Sequence, residues 1–150
     1  MPEQKTLKRA RRDAKQGKAA TTQAGEFVRE EMHHIREGKH GARSAKQAIA
    51  IGLSEARRAG VNLRPPAKGK TSEKARKSAE SAYRKGQRHQ PVSAKRSQAR
   101  VKALRKESRA AASHKALSRQ AHNAARRRSV ASRSAAGKKA ARTRSQRLRG

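Results

Sequence analysis

TQAGEFVREEMHHIREGKHGARSAKQAIAIGLSEARRAGVNL, residues 22–63, is the one stretch in which large apolar side chains recur at spacings that a packed structure can use. Val28, Met32 and Ile35 stand at i, i+4 and i+7, which puts them on one helical face, and Phe27 widens the stripe. Gly38 supplies a stop, so a first helix is expected over about residues 25–37. Ser44 begins a second, its hydroxyl placed to cap the helix while Gln47 reaches back to the Ser44 backbone N–H as in a capping box. That helix runs through Ala45, Ile49, Leu53 and Ala56 to residue 59. Gly60 suits the left-handed position beyond a helix end, and Val61 can fold back onto Ala56. The connection is short enough to make the two helices antiparallel neighbours, a helical hairpin.

The run GKHGARSAKQAIAIGLSEARRAGV, preceded by EFVREEMHHIREG, resembles the signature of a family of small, very basic bacterial proteins of unknown function. Members are sometimes labelled DNA-binding or plasmid-stabilisation proteins. The resemblance covers about residues 21–65. It implies no catalytic or binding residue, so function must be read from the chain itself.

Outward from the hairpin the chain becomes strongly cationic. Its 150 residues carry 42 Lys and Arg against 10 Asp and Glu, a formal net charge of +32, and 27 of the basic residues but only 3 of the acidic ones follow residue 64. One Phe, one Tyr and no Trp leave little material for a large core. Such a balance points first to a polyanion partner. The lack of cysteine excludes disulfides and thiolate chemistry. No apolar run approaches the ~20 residues that span a bilayer, and no secretory h-region opens the chain, so a cytoplasmic, nucleoid-associated protein is expected, with no membrane partner.

Residues 1–20 hold one large apolar residue, Leu7, and a basic cluster from Lys8 to Arg12, and read as a flexible basic arm. The charge-balanced hairpin has few large side chains, so support is expected from self-association, a third helix or a bound partner. Pro65 and Pro66 enforce an extended linker over 65–72. A short third helix is expected over about 73–85, capped by Thr71 or Ser72 and stopped by Gly86, with Ala75, Ala79, Ala82 and Tyr83 as the face that could lie against the hairpin. From residue 87 to 150 the chain reads as a basic Ala/Ser/Arg/Lys tail, disordered or conditionally helical, with no carboxylate after Glu107. Ala103, Ala110, Leu117, Ala124 and Ala131 recur every seven residues, but Glu107 and His114 occupy companion positions, against a coiled coil. The expected fold class is therefore all-α: a small helical hairpin, a third helix and basic arms.

The basic arms carry the functional signal. Each Lys or Arg placed near a phosphate releases condensed counterion, and neutralising about 6 to 10 phosphates makes affinity fall by roughly 10³ to 10⁵ between 50 and 200 mM salt. With Phe27 and Tyr83 as the only aromatic residues, base stacking has little to work with, which favours duplex DNA over RNA. The expected contacts are Lys39, Arg43 and Lys46 near the start of the second helix, Arg57, Arg58 and Arg64 at its far end, and Arg126, Arg127, Arg128, Lys138, Lys139, Arg142 and Arg144 in the tail. A helix-turn-helix broken at Gly52 would send residues 54–59 into the major groove, but Arg58 falls where that pattern needs a buried aliphatic residue, so a continuous helix is expected.

Glu30, His33, His34 and Glu37 lie within two turns, with His40 beyond, and a zinc or nickel site can be drawn from them. No HExxH occurs, and surface i, i+4 pairs (Glu30 with His34, His33 with Glu37) account for the same residues, so no metal or other cofactor is expected. No Gly-rich phosphate loop, positioned nucleophile or paired carboxylate marks an enzyme or a small-molecule substrate. The chain thus reads as a non-enzymatic, histone-like DNA-binding protein whose hairpin self-associates or meets a protein. The alternatives are an RNA- or ribosome-associated protein and a plasmid-maintenance or antitoxin-like interaction module.

Overall fold

The structure is a computed structural model that describes residues 2–148; the first residue of the expected N-terminal arm and the last two of the expected tail lie outside it. All of its regular elements are helical: α1 (Gln4–Lys15), α2 (Ala20–Arg36), α3 (Ala45–Arg58), α4 (Glu73–Gln87), α5 (Ala94–Leu104), a 3-10 turn (Arg109–Ala112), α6 (His114–Arg126) and α7 (Val130–Leu148). None is long and apolar enough to cross a membrane. Contacts divide the chain into two compact units, the first ending at Ser113 and the second starting at His114.

The hairpin of α2 and α3 forms as its spacing dictates. Phe27 and Ile35 are fully enclosed, and Ser44 caps α3 by accepting the Gln47 N–H at 3.2 Å. The reciprocal half of the expected capping box differs, because Gln47 Oε1 takes the Arg43 N–H at 2.7 Å instead of that of Ser44. Gly60 adopts φ +90°, and the Val61 N–H closes on the Ala56 carbonyl at 3.1 Å, the helix end expected there. Helix α3 is continuous through Gly52. A Cβ at that position would stand 2.7 Å from Val28 Cα, so the glycine lets α3 approach the backbone of α2 and does not mark a turn.

Two expectations are corrected. The N-terminal arm is helix α1, and α2 begins five residues before the expected start. Thr6, Ala10 and Asp13 lie at i, i+4 and i+7 on the buried face of α1. Ala10 joins Ala24, Phe27, Ala56 and Val61 in one core, with Leu7, Ala20, Leu53 and Leu63 packed around it. The physical reason is size: alanine and threonine offer little apolar signal, yet they let two helices come close.

The second correction concerns the tail. Gly86 does not stop α4, which continues to Gln87; a Cβ there would meet the Arg57 carbonyl at 1.8 Å, so this glycine is the seat of α4 on α3. Ser72 caps α4, Ala82 is buried, and Tyr83 donates to Asn62 Oδ1 at 2.7 Å. Beyond α5 the chain returns to the hairpin loop: the Gly41 N–H bonds to the Leu104 carbonyl at 2.9 Å and the Ala42 N–H to the Ser108 carbonyl at 3.0 Å. Arg36 Nε donates to the Ala112 carbonyl at 3.0 Å, and Leu104, Ala111 and Ala112 are buried. Residues 104–112 therefore form a strap over the loop rather than part of an unpacked tail. The second unit, α6 and α7, is also helical; α6 buries no residue.

Candidate functional site

The cationic residues of the first unit do not share one environment. Lys39 sits 3.1 Å from both Glu3 Oε1 and Glu37 Oε2, which raise its pKa, the Glu37 hydrogen bond foremost. Arg43 is well exposed, with Nη2 3.8 Å from Glu107 Oε1, and Lys46 and Arg64 are exposed. Arg57 turns inward: 6% exposed, it donates from Nε to the Leu63 carbonyl at 3.1 Å and from Nη1 to the Leu53 carbonyl at 3.5 Å, and burial lowers its pKa. Arg58 is half-buried, with a buried Nε that lacks a hydrogen-bond partner among the described residues. Of the two expected clusters, Arg43 and Lys46 remain open to a ligand at the start of α3, while at its far end only Arg64 is fully exposed.

The second unit is different. Arg126, Arg127, Arg128, Lys138, Lys139, Arg142 and Arg144 are all exposed, and neither α6 nor α7 contains a carboxylate. Arg128 bonds locally, to the Ser132 hydroxyl and carbonyl. Sequence reasoning also left a basic face unassigned on α1, where Lys5, Lys8, Arg9 and Arg12 line one depression. Their i, i+3, i+4, i+7 spacing was the signal for it once α1 is a fixed helix.

On the opposite end of the charge scale, carboxylates and imidazoles gather where the start of α1, the middle of α2 and the hairpin loop meet. His34 Nε2 lies 3.1 Å from Glu3 Oε1 and 3.7 Å from Glu30 Oε1, and His40 Nε2 lies 3.6 Å from Glu31 Oε2. Glu30 and Glu31 are buried, so the pair of Glu30 and His34 is not the surface pair expected from its spacing, and Glu37 faces Lys39. Glu30 Oε1 accepts the Glu3 N–H at 2.6 Å. Its Oε2, and Oε1 of Glu31, are buried with no hydrogen-bond partner among the described residues. Burial, with Glu55 and Glu30 adding their charge, pushes the Glu31 carboxyl up to about 7; burial raises Glu55 as well. The Glu3 carboxyl, hydrogen-bonded to His34 and then Lys39, is held below its usual value.

A family model described as a family of unknown function (DUF6496) matches residues 3–69, a segment that contains α1 to α3 and the whole histidine–carboxylate cluster. No curated protein and no solved structure matches the chain.

Proposed function

We propose that the protein binds duplex DNA without catalysis, through cationic helices that track phosphates, in the manner of a histone-like, nucleoid-associated protein. One observation carries the reading: Arg126 on α6, Arg127 and Arg128 in the turn that follows it, and Lys138, Lys139, Arg142 and Arg144 on α7 are all exposed, and neither helix offers a carboxylate to pair with them. Like charges spaced i, i+4, such as Lys138 and Arg142, oppose the free helix, and phosphates relieve that opposition. The first unit carries exposed cations of its own in Arg43, Lys46, Arg64 and the basic face of α1. The fate of the aromatic residues supports duplex over single-stranded partners, since Phe27 is wholly enclosed and Tyr83 is engaged with Asn62, leaving little on which bases could stack.

The test compares the full chain with a full-length variant in which Arg126, Arg127, Arg128, Lys138, Lys139, Arg142 and Arg144 become Gln. Fluorescence anisotropy with duplex DNA and with structured RNA, titrated over about 50 to 200 mM salt, should show tight, salt-sensitive DNA binding by the native chain. The salt slope should fall by about one for each phosphate contact removed. An unchanged slope in the variant defeats the assignment, and preferential binding of the RNA moves it to an RNA partner.

A further inference from the structure

We propose that Glu31, His34 and His40 form a binding site for one divalent transition-metal ion of the zinc class. The ligand atoms of Glu31, His34 and His40 lie within 4.8 Å of one another, and so do those of Glu3, Glu30 and His34, the two sets sharing His34. An ion with bonds of about 2.0 to 2.2 Å in a tetrahedral site holds its ligand atoms roughly 3.3 to 3.6 Å apart. The 3.6 Å between His40 and Glu31 is close to that span and too long for a hydrogen bond.

The second observation is independent of the spacing. Glu30 Oε2 and Glu31 Oε1 are enclosed and have no hydrogen-bond partner among the described residues, in residues only 6% and 2% exposed. A buried carboxylate oxygen without a donor is costly, and a cation beside Glu31 relieves that cost. The His40 imidazole is prepared in the same sense. His40 Nδ1 lies 3.1 Å from the Gly41 carbonyl, which can only accept, so Nδ1 carries the proton and the Nε2 lone pair faces Glu31. A metal-bound histidine characteristically donates its other N–H to a backbone carbonyl in this way. The strap that fixes Gly41 through the Leu104 carbonyl fixes this orientation too.

Two imidazoles select against calcium and magnesium, which prefer all-oxygen shells, and suit zinc. The site ties α2 to the hairpin loop at the point where three carboxylates meet, so its role is structural. It stands apart from the DNA-binding reading and does not depend on it.

The test uses the full chain after treatment with a chelator. Calorimetric titration with zinc near neutral pH should give one saturable equivalent, and cobalt should develop the visible absorption of a tetrahedral site. His34→Gln, His40→Gln and Glu31→Gln should each weaken zinc at least tenfold, whereas His33→Gln, on the exposed side of α2, should leave it unchanged. X-ray absorption of the zinc-loaded native chain should count two imidazoles, a readout that holds even where a variant fails to fold. No saturable equivalent, a first shell without imidazole, or equal affinity in the His40 variant overturns the proposal.

Discussion

At the scale of single residues, the molecule separates charge that holds the fold from charge that faces solvent. Arg57 and Arg64 are both basic residues near the end of α3, yet one guanidinium satisfies two backbone carbonyls and the other is exposed. Arg57→Gln should therefore lower stability by about 1 to 3 kcal/mol in urea melts, because buried acceptors lose their donors, while Arg64→Gln should leave it within about 0.5. On the DNA-binding reading the order reverses for affinity. Glu31 yields a pH prediction for the metal-free protein. Its carboxyl is raised from 4.5 to about 7 in the fold by burial, with Glu30, Glu55 and His40 around it and Arg100 acting in the opposite direction. An acid whose folded pKa lies above its unfolded value costs stability as it ionises in the unfolded chain first. Stability should thus decline as pH rises from about 4.5 to about 7 and level off above, and Glu31→Gln should flatten that decline in thermal melts across the range. Of this cluster, the relation of Glu30 to His34 was legible in the sequence as an i, i+4 spacing. His40 was legible too, as the loop residue drawn with them, but the burial of Glu30 and Glu31 and the arrival of Glu3 were not, because they depend on where α1 and the loop pack.

At the scale of elements, the helices were legible in proportion to the size of the side chains that bury them. Phe27, Met32 and Ile35 announce α2, Ser44 announces α3, and Ser72 with Glu73 announces α4, all close to where they are found. Helix α1 and the strap were missed because Thr6, Ala10, Ala111 and Ala112 look like filler between charges, although each is buried. Gly86 was read as punctuation where it serves contact. Gly86→Ala should test this directly: its new methyl would collide with the Arg57 carbonyl, which is backbone and cannot swing aside, so a loss of at least about 1 to 3 kcal/mol is expected in denaturant melts. Gly137, in the middle of α7, has nothing within 4 Å of a built Cβ. Gly137→Ala should accordingly act with the opposite sign, favouring helix by about 0.5 to 1 kcal/mol and raising the ellipticity at 222 nm.

At the scale of the whole molecule, contacts divide the chain after Ser113. The linker over 65–72 joins two helices that pack together, α3 and α4, whereas α6 contributes no buried residue of its own. Trypsin reads this difference, because Lys and Arg occur along the whole chain and cleavage is limited only by local opening. Sites in α6 and α7, from Lys115 and Arg119 onward, should be cut first and leave a resistant fragment that ends near the boundary. Lys102 and Arg105, which flank the buried Leu104 and the bond from Gly41 to its carbonyl, should survive longer than those sites although their own side chains are exposed. Mass spectrometry of a digestion time course decides the matter. Cleavage at Arg105 before Arg119 would mean that the strap opens more readily than the second unit and would undo the division. Added duplex DNA separates packing from ligand: on the DNA-binding reading it should slow the cuts in α6 and α7 at low salt, lose that effect as salt rises, and leave the rate at Arg105 little changed.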